Sequence, residues 1–305
     1  MTGKRAFHFK DYLDRCYPTQ KKADTMHIVY QDEIVRGQPV EDLCAQRGWT
    51  AHRLDTMHFS DSIRDIERTL FKSALGTGEP VMCFTAIRLA QQAPNLNIPT
   101  IQSGVVASRF KLSWSNYAAQ LPNDLLLNPF GILFPWQHLR TDDAVRCLKS
   151  FYGDDGVFIR PNSPWKPFAG FPTTWEAYDY NIDSYEKLES IEPGEITVIF
   201  PKKTISNIEW RFWVVAGKIA TWAPYSWGDM EPSAQRMPAG MTEKVEEVIQ
   251  NLEYYENNLV IDMVETEDGV KLVELNGLTT AGFYEGMDAA ALFDALPTMF
   301  GLPSL

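Results

Sequence analysis

The chain has 305 residues, of which 45% are hydrophobic and 12% aromatic, as in a globular protein with a large core. A net charge of −12 argues against non-specific binding to nucleic acid, which depends on Lys and Arg that neutralise phosphates. No apolar run approaches the roughly 20 residues of a membrane helix, and the N-terminus does not resemble a secretion signal. Four scattered cysteines without metal-binding spacing favour a reduced, cytoplasmic protein without structural zinc.

The first part of the chain predicts a small parallel α/β domain. A basic leader over residues 1–24 is either a short helix laid on the domain or a mobile arm. Strands and helices then alternate, which is typical of a parallel sheet. The predicted strands are 26–30, 51–54 and 80–84, and the predicted helices are 60–75 and 85–92.

A domain junction is expected near residue 135. Residues 113–140 are rich in aromatic and aliphatic side chains, and three prolines break them into short pieces. We therefore expect an N-terminal domain over 25–135 and a second domain over 136–305. The second domain begins with a helix at 141–152, for which Thr141 is the predicted N-cap.

The middle of the chain predicts a strand, a loop and several further elements. A strand at 156–160 ends in Arg160, before Pro161, and the loop 162–170 that follows contains Lys166 and two further prolines, with no glycine before Gly170. A prolyl nitrogen cannot donate a hydrogen bond, so side chains would make most of the contacts of this loop. A short helix at 185–191, a strand at 195–200 and a late helix at 242–257 complete this region.

A hairpin is predicted at 208–222. Residues 208–215 alternate in polarity, and Ala216 and Gly217 form the tight turn to the returning strand. With that turn Arg211 faces Trp222, where a guanidinium can stack on the indole. The alternative is a surface pair of Glu209 with Arg211, which would contribute little.

The second hairpin, over residues 259–276, is the most informative stretch. A three-residue loop centred on Asp268 would place Asp262 directly opposite Glu274, with Asn276 on the same face and Val273 on the other. Opposed like charges destabilise a sheet unless they are neutralised, and Mg²⁺ commonly uses one or two carboxylates. From the residues alone, a magnesium site and a solvated acidic face are equally good interpretations. A final helix is expected at 287–300.

Asp262 followed by Glu274-Leu275-Asn276 on the next strand resembles the metal-binding signature of the ATP-grasp superfamily. The run 209–218 and the pair Phe283-Tyr284 resemble one branch in particular, the clade named for a shared arginine and two lysines. The resemblance covers roughly the C-terminal half of the chain. It implies an α/β (α+β) protein with the ATP-grasp fold, an N-terminal pre-ATP-grasp α/β domain and a small mobile lid subdomain over about residues 141–200.

The same resemblance implies roles for particular residues. Asp262, Glu274 and Asn276 would hold one or two Mg²⁺ ions, and Arg211 would stabilise charge at the reacting phosphate. The cofactor-binding residues implied for ATP are Arg160, Lys166, Val198 and Phe200. Arg160 and Lys166 would contact the phosphates, unless Lys166 is simply an exposed loop lysine. Val198 and Phe200 would wall the adenine, although they are equally suited to plain core.

The function implied is an ATP- and Mg²⁺-dependent carboxylate–amine ligase that forms an amide through an acyl phosphate and releases ADP and phosphate. Its substrates would be a small-molecule or peptide acid and amine, with no nucleic acid and no membrane involved. Two alternatives stay open, an ATP-dependent kinase on the same fold and a non-catalytic nucleotide-binding protein. The sequence does not indicate the oligomeric state.

Overall fold

The computed structural model describes residues 25–54, 80–87, 111–189, 191–226, 236–252 and 257–301. The basic leader, the helix expected at 60–75 and most of the helix expected at 85–92 lie outside these residues. The described part contains three β-sheets with helices packed on them, which confirms the mixed α/β fold class.

The first sheet is parallel and has three strands in the order β2-β1-β3. β1 (His27–Tyr30) lies in the centre, between β2 (Thr50–Arg53) and β3 (Val81–Phe84). Two short helices, α1 (Asp32–Val35) and α2 (Val40–Gln46), connect β1 to β2. The strands predicted at 26–30, 51–54 and 80–84 are therefore confirmed.

The second sheet is antiparallel, with the strand order β11-β10-β8-β9. It consists of two hairpins, which contain β8 (Ile208–Val215), β9 (Lys218–Ser226), β10 (Leu259–Thr266) and β11 (Gly269–Gly277). The first hairpin turns at Ala216 and Gly217, both with positive φ, as the predicted two-residue turn requires.

Both faces of this second sheet are covered. One face packs on α6 (Met241–Asn251), and the apolar side chains in that contact include Trp210, Phe212, Val214, Ile261, Met263, Val245 and Val248. The other face packs at one end on the parallel sheet and on α7 (Ala289–Ala295), which a 3₁₀ turn (Leu296–Phe300) continues. The remaining end of that face carries charged and polar side chains.

The third sheet has the order β4-β7-β5-β6 and carries α4 (Asp142–Tyr152) and α5 (Tyr178–Glu189). Its strands are β4 (Ile132–Pro135), β5 (Val157–Pro161), β6 (Phe171–Thr173) and β7 (Ile196–Pro201). The Thr141 side chain accepts a hydrogen bond from the Ala144 amide at 3.2 Å, as predicted for the N-cap. The helix expected at 185–191 begins earlier, at Tyr178.

The expected domain boundary at residue 135 does not agree with the packing. β4 lies before that boundary, yet it pairs with β7 in the third sheet. The short helix α3 (Trp114–Tyr117) and the residues after it pack on the second sheet, where the Leu272 amide donates to the Leu125 carbonyl at 2.6 Å. Of the apolar residues expected to join two domains, Leu125 and Leu126 lie on the edge strand β11, whereas Trp136 belongs to the core of the third sheet. Among the described helices, none is long and apolar enough to cross a membrane.

Candidate active site

The pairing of Asp262 with Glu274 is confirmed, although the hairpin reaches it by another route. The sequence predicts a three-residue loop, whereas Thr266 pairs with Gly269 across a two-residue turn. That turn alone would place Asp262 out of line with Glu274 by one residue.

A β-bulge restores the alignment. Met263 pairs with Leu272, and the next pair is Asp262 with Glu274, so Val273 is an extra residue in β11. A bulge of this kind shifts the register by one residue. It brings the two carboxylates opposite each other. Leu272, and not Val273 as expected, therefore lies in the apolar core.

Asp262 is fully buried and is held by Arg211. The Arg211 Nε and Nη2 atoms donate to the two carboxylate oxygens, each at 2.7 Å. Burial raises the pKa of Asp262, and the charge of Arg211 counters this only in part. Burial also lowers the pKa of Arg211, but the attraction of Asp262 outweighs it and leaves that pKa well above its ordinary value. The pair is a forked, buried ion pair.

Glu274 is held by two cations, one from β5 of the third sheet and one from the loop after β5. Arg160 Nη2 lies 2.9 Å from Oε2, and Lys166 Nζ lies 2.5 Å from Oε1. Burial would raise the pKa of Glu274, but Lys166 and Arg160 outweigh burial and hold it far below its usual range. The side chain of Glu274 is only 15% exposed. The interpretation of this face as a solvated acidic surface is therefore wrong.

Asn276 joins the two carboxylates. Its Nδ2 atom lies 2.9 Å from Asp262 Oδ2 and 2.9 Å from Glu274 Oε1. The three predicted metal ligands thus meet in one place and offer carboxylate and carboxamide oxygens, the hard donors that Mg²⁺ prefers. No group of three or more His, Cys, Asp or Glu side chains suited to a metal occurs among the described residues. Two carboxylates nevertheless suffice for a magnesium ion that also binds phosphate and water.

Arg211 does not face Trp222, contrary to the sequence prediction. The register of β8 and β9 shifts between Trp213 and Val214, so Arg211 pairs with Ala223. Its guanidinium carbon instead lies 5.0 Å from the ring centres of Tyr225 and Tyr284. These aromatic rings, together with the fork to Asp262, fix the orientation of Arg211.

Val198 and Phe200 are buried side chains of β7, the strand between β4 and β5. Phe200 lies edge-on to Trp114, with the ring centres 5.1 Å apart. Both side chains belong to the core that covers the second sheet. Adenine binding at this strand stays a prediction.

The N-terminal sheet contributes to the site in a way that the sequence did not indicate. The loop after β11 donates from the Phe283 amide to the Ile34 carbonyl at 2.7 Å, and its Thr279 carbonyl accepts from the Thr85 amide at 3.0 Å. The guanidinium carbon of Arg36 lies 4.5 Å from the centre of the Tyr284 ring. The carboxyl edge of the parallel sheet therefore borders the loop next to Asn276, as ligand sites of such sheets often do.

Solved structures with a similar fold include D-cycloserine synthetase DcsG, at 12% identity and a TM-score of 0.55 over 88% of this chain and 97% of that one. The N5-carboxyaminoimidazole synthase of Aspergillus clavatus, solved with ADP, is 11% identical to this chain and has a TM-score of 0.58. The match covers 92% of this chain and 78% of that one. An L-amino acid ligase from Bacillus licheniformis is 10% identical and has a TM-score of 0.51. That match covers 85% of this chain and 69% of the ligase chain. These likenesses concern the fold. A comparison with curated protein sequences found no match.

The family evidence comes from the sequence itself. A sequence model of the ATP-grasp domain matches residues 93–296, and it describes family 3 of the clade named for a shared arginine and two lysines. This range is well over half of the chain and includes Arg160, Lys166, Arg211 and the Asp262–Asn276 hairpin. The chain belongs to this clade of the ATP-grasp superfamily.

Proposed function

We propose that this protein is an ATP- and Mg²⁺-dependent ligase that joins a carboxylate to an amine. The observation that carries the proposal is the meeting of Asp262, Glu274 and Asn276 with Arg160, Lys166 and Arg211. Metal ligands and phosphate-binding cations recur in sites that transfer a phosphoryl group, because this reaction depends mainly on positioning and charge stabilisation. ATP-grasp membership and the ligase names of the similar structures support the same conclusion.

Asp262, Glu274 and Asn276 would hold the magnesium. The ion, when bound, would neutralise charge on the nucleotide phosphates and on the reacting carboxylate. Asn276 is already within hydrogen-bonding distance of both carboxylates, so little rearrangement is needed to bring the oxygens of the three side chains together.

The cations of the site would change partners when nucleotide binds. Arg160 and Lys166 neutralise Glu274 in the structure, and both belong to the strand and loop that cross over the second sheet. Once Glu274 is neutralised by the magnesium ion in their place, these side chains can bind the triphosphate. Arginine suits this role because its planar fork matches two phosphate oxygens.

Arg211 would act at the reacting centre. Its Nε and Nη2 are used by Asp262, while Nη1 lies 3.3 Å from the Gly282 carbonyl oxygen, towards the loop after β11. A donor fixed in a buried site stabilises charge that develops during reaction and needs little reorganisation. Arg211 would therefore stabilise the carboxylate oxygen and phosphate during transfer.

The reaction balances without any further reagent. A carboxylate oxygen of the acid attacks the γ-phosphorus of ATP, and the bond to ADP breaks. The amine then attacks the acyl carbon of the resulting acyl phosphate, and phosphate leaves with that carboxylate oxygen. The amine loses a proton to the surrounding solvent.

The fate of that oxygen provides the test. Mixtures of amino acids, dicarboxylic acids and dipeptides would first be screened for ADP release, and the active acid would then be labelled with ¹⁸O in its carboxylate. The proposal predicts one ¹⁸O in each released phosphate. ADP formation with a stable phosphorylated product would favour the kinase alternative, and no ADP formation with any mixture would favour a non-catalytic nucleotide-binding protein.

A further inference from the structure

Arg36 is an exposed cation that the N-terminal sheet domain brings to the candidate active site. It directly follows α1 with a left-handed backbone (φ 46°), and its amide donates to the Asp32 carbonyl at 2.7 Å. The guanidinium rests on the Tyr284 ring. Within the described residues, no carboxylate forms an ion pair with Arg36.

Gly282 lies between Arg36 and Arg211. A Cβ atom built on Gly282 would be 3.3 Å from Arg36 Nε and 3.4 Å from its Cζ, while the Gly282 carbonyl oxygen lies 3.3 Å from Arg211 Nη1. The Tyr284 ring centre is 4.5 Å from one guanidinium carbon and 5.0 Å from the other. The two guanidiniums can be no further apart than these two distances combined.

The charges of this pair are not balanced. Asp262 neutralises Arg211 through two hydrogen bonds, whereas among the residues that the structure describes Arg36 is held by an aromatic ring and by no carboxylate. A positive charge therefore remains beside the loop that borders the metal ligands. A planar guanidinium in such a position matches a carboxylate through two parallel hydrogen bonds.

We infer that Arg36 binds the free carboxylate of the amine substrate, so that the amine is an amino acid or a peptide; this rests on the proposed ligase function. Arg36 and Arg211 approach Gly282 from its α-carbon and its carbonyl respectively. The acid that is activated beside Arg211 would thus have the amine on its Arg36 side. One peptide unit spans about 3.8 Å, so a carboxylate one residue from the reacting carbon lies within the upper limit on the separation of the two guanidiniums.

Binding measurements test this assignment without requiring turnover. L-amino acids, dipeptides and their carboxamides would be titrated into the protein with Mg²⁺ and ADP present, and N-acetyl-L-glutamate would serve as a dicarboxylate without an amine. The variants are Arg36→Ala and Arg36→Lys, with Arg53→Ala as the matched control, because Arg53 is an exposed arginine of the same small domain.

We expect at least one free amino acid or dipeptide to bind the wild type, and its carboxamide to bind roughly tenfold more weakly or worse, because a charged hydrogen-bonding partner is lost. Arg36→Ala should weaken binding of the free amino acid or dipeptide by a similar factor, so that it no longer binds more tightly than its carboxamide. Arg36→Lys should restore only part of it, and Arg53→Ala should behave as the wild type.

Three results would overturn the inference. They are failure of every free amino acid and dipeptide to bind, unchanged discrimination in Arg36→Ala, and Arg36-dependent binding of N-acetyl-L-glutamate alone, which would place the carboxylate on the acid substrate. Binding of Mg²⁺ and ADP is measured in the same samples. Failure of the wild type to bind Mg²⁺ and ADP would count against the proposed function. Binding of both by Arg36→Ala would show that the nucleotide site of this variant is intact.

Discussion

The Nζ atom of Lys166 lies 2.5 Å from Oε1 of Glu274, so an expected phosphate ligand is paired with an expected metal ligand. Arg160 binds the other oxygen of the same carboxylate at 2.9 Å. In the structure, the carboxylate of Glu274 thus pairs with both cations. Mg²⁺ is suited to replace the cations beside Glu274, and the phosphates of ATP are suited to replace Glu274 beside the cations.

The loop that carries Lys166 should close on phosphates. ATP or ADP with Mg²⁺ should protect residues 158–170 from hydrogen exchange, while AMP should protect them poorly because it lacks the phosphates that Arg160 and Lys166 would bind. The double change Arg160→Ala with Lys166→Ala should remove the difference between ATP and AMP. Lys187→Gln, an exposed lysine of α5, should leave that difference as it is. Equal protection by AMP and ATP in the wild type would show that this loop is not the phosphate lid.

Glu274→Gln should destabilise the protein. Two opposed carboxylates alone would predict a gain in stability on losing one charge. Glu274, however, neutralises Arg160, whose side chain is 9% exposed, and removal of one partner of a buried pair costs about 3 kcal/mol. Urea unfolding would measure the change, with Glu267→Gln in the exposed hairpin turn expected within about 0.5 kcal/mol of the wild type. Equal stability of Glu274→Gln and wild type would refute this view of the pair.

Arg211→Lys should impair the chemical step. Lysine keeps the charge but loses the fork to Asp262 and the planar contact with Tyr225 and Tyr284. We expect kcat to fall by about 10² or more, as for the loss of a fixed donor at a reacting centre. The dissociation constant for ATP should change much less, and Arg146→Lys on the surface of α4 should change neither. An unchanged kcat would make Arg211 a structural residue only.

The opposition of Asp262 and Glu274 could be predicted because side chains alternate along a strand and a hairpin fixes the pairing. The details of both hairpins could not. A bulge at Val273 compensates the shorter turn, and a register shift after Trp213 moves Arg211 away from Trp222. Where an extra residue enters a strand depends on packing against neighbouring elements, which a single hairpin sequence does not reveal.

Contacts between distant parts of the chain were also beyond the sequence. The alternation of 208–215 predicted a strand with two different faces but gave no sign of which face would meet the parallel sheet. Arg36 follows a short helix and precedes a glycine, as many surface arginines do. Its place beside Tyr284 results from the docking of the N-terminal sheet on the loop after β11, through the hydrogen bonds at Ile34 and Thr85.

The stability of the N-terminal sheet should depend on pH through His52. Burial, followed by the neighbouring His27 at 2.9 Å, lowers the pKa of His52 from 6.5. The unfolded chain then takes up a proton at higher pH than the folded one, so the free energy of unfolding should fall as the pH drops below about 6.5. His52→Gln should reduce this slope, and His138→Gln at the surface should not. An identical slope in wild type and His52→Gln would exclude His52 as its source.

The most direct measurement of the central claim is the dissociation constant of ATP, with EDTA and with Mg²⁺, for the wild type and Glu274→Gln. In the wild type, Glu274 holds Arg160 and Lys166 without metal and would bind Mg²⁺ with it, so ATP should bind weakly in EDTA and much more tightly with Mg²⁺. In Glu274→Gln the two cations are released, so ATP should bind in EDTA at least as tightly as to the wild type, and Mg²⁺ should add little. A full magnesium effect in Glu274→Gln would contradict the assignment of Glu274 as a metal ligand.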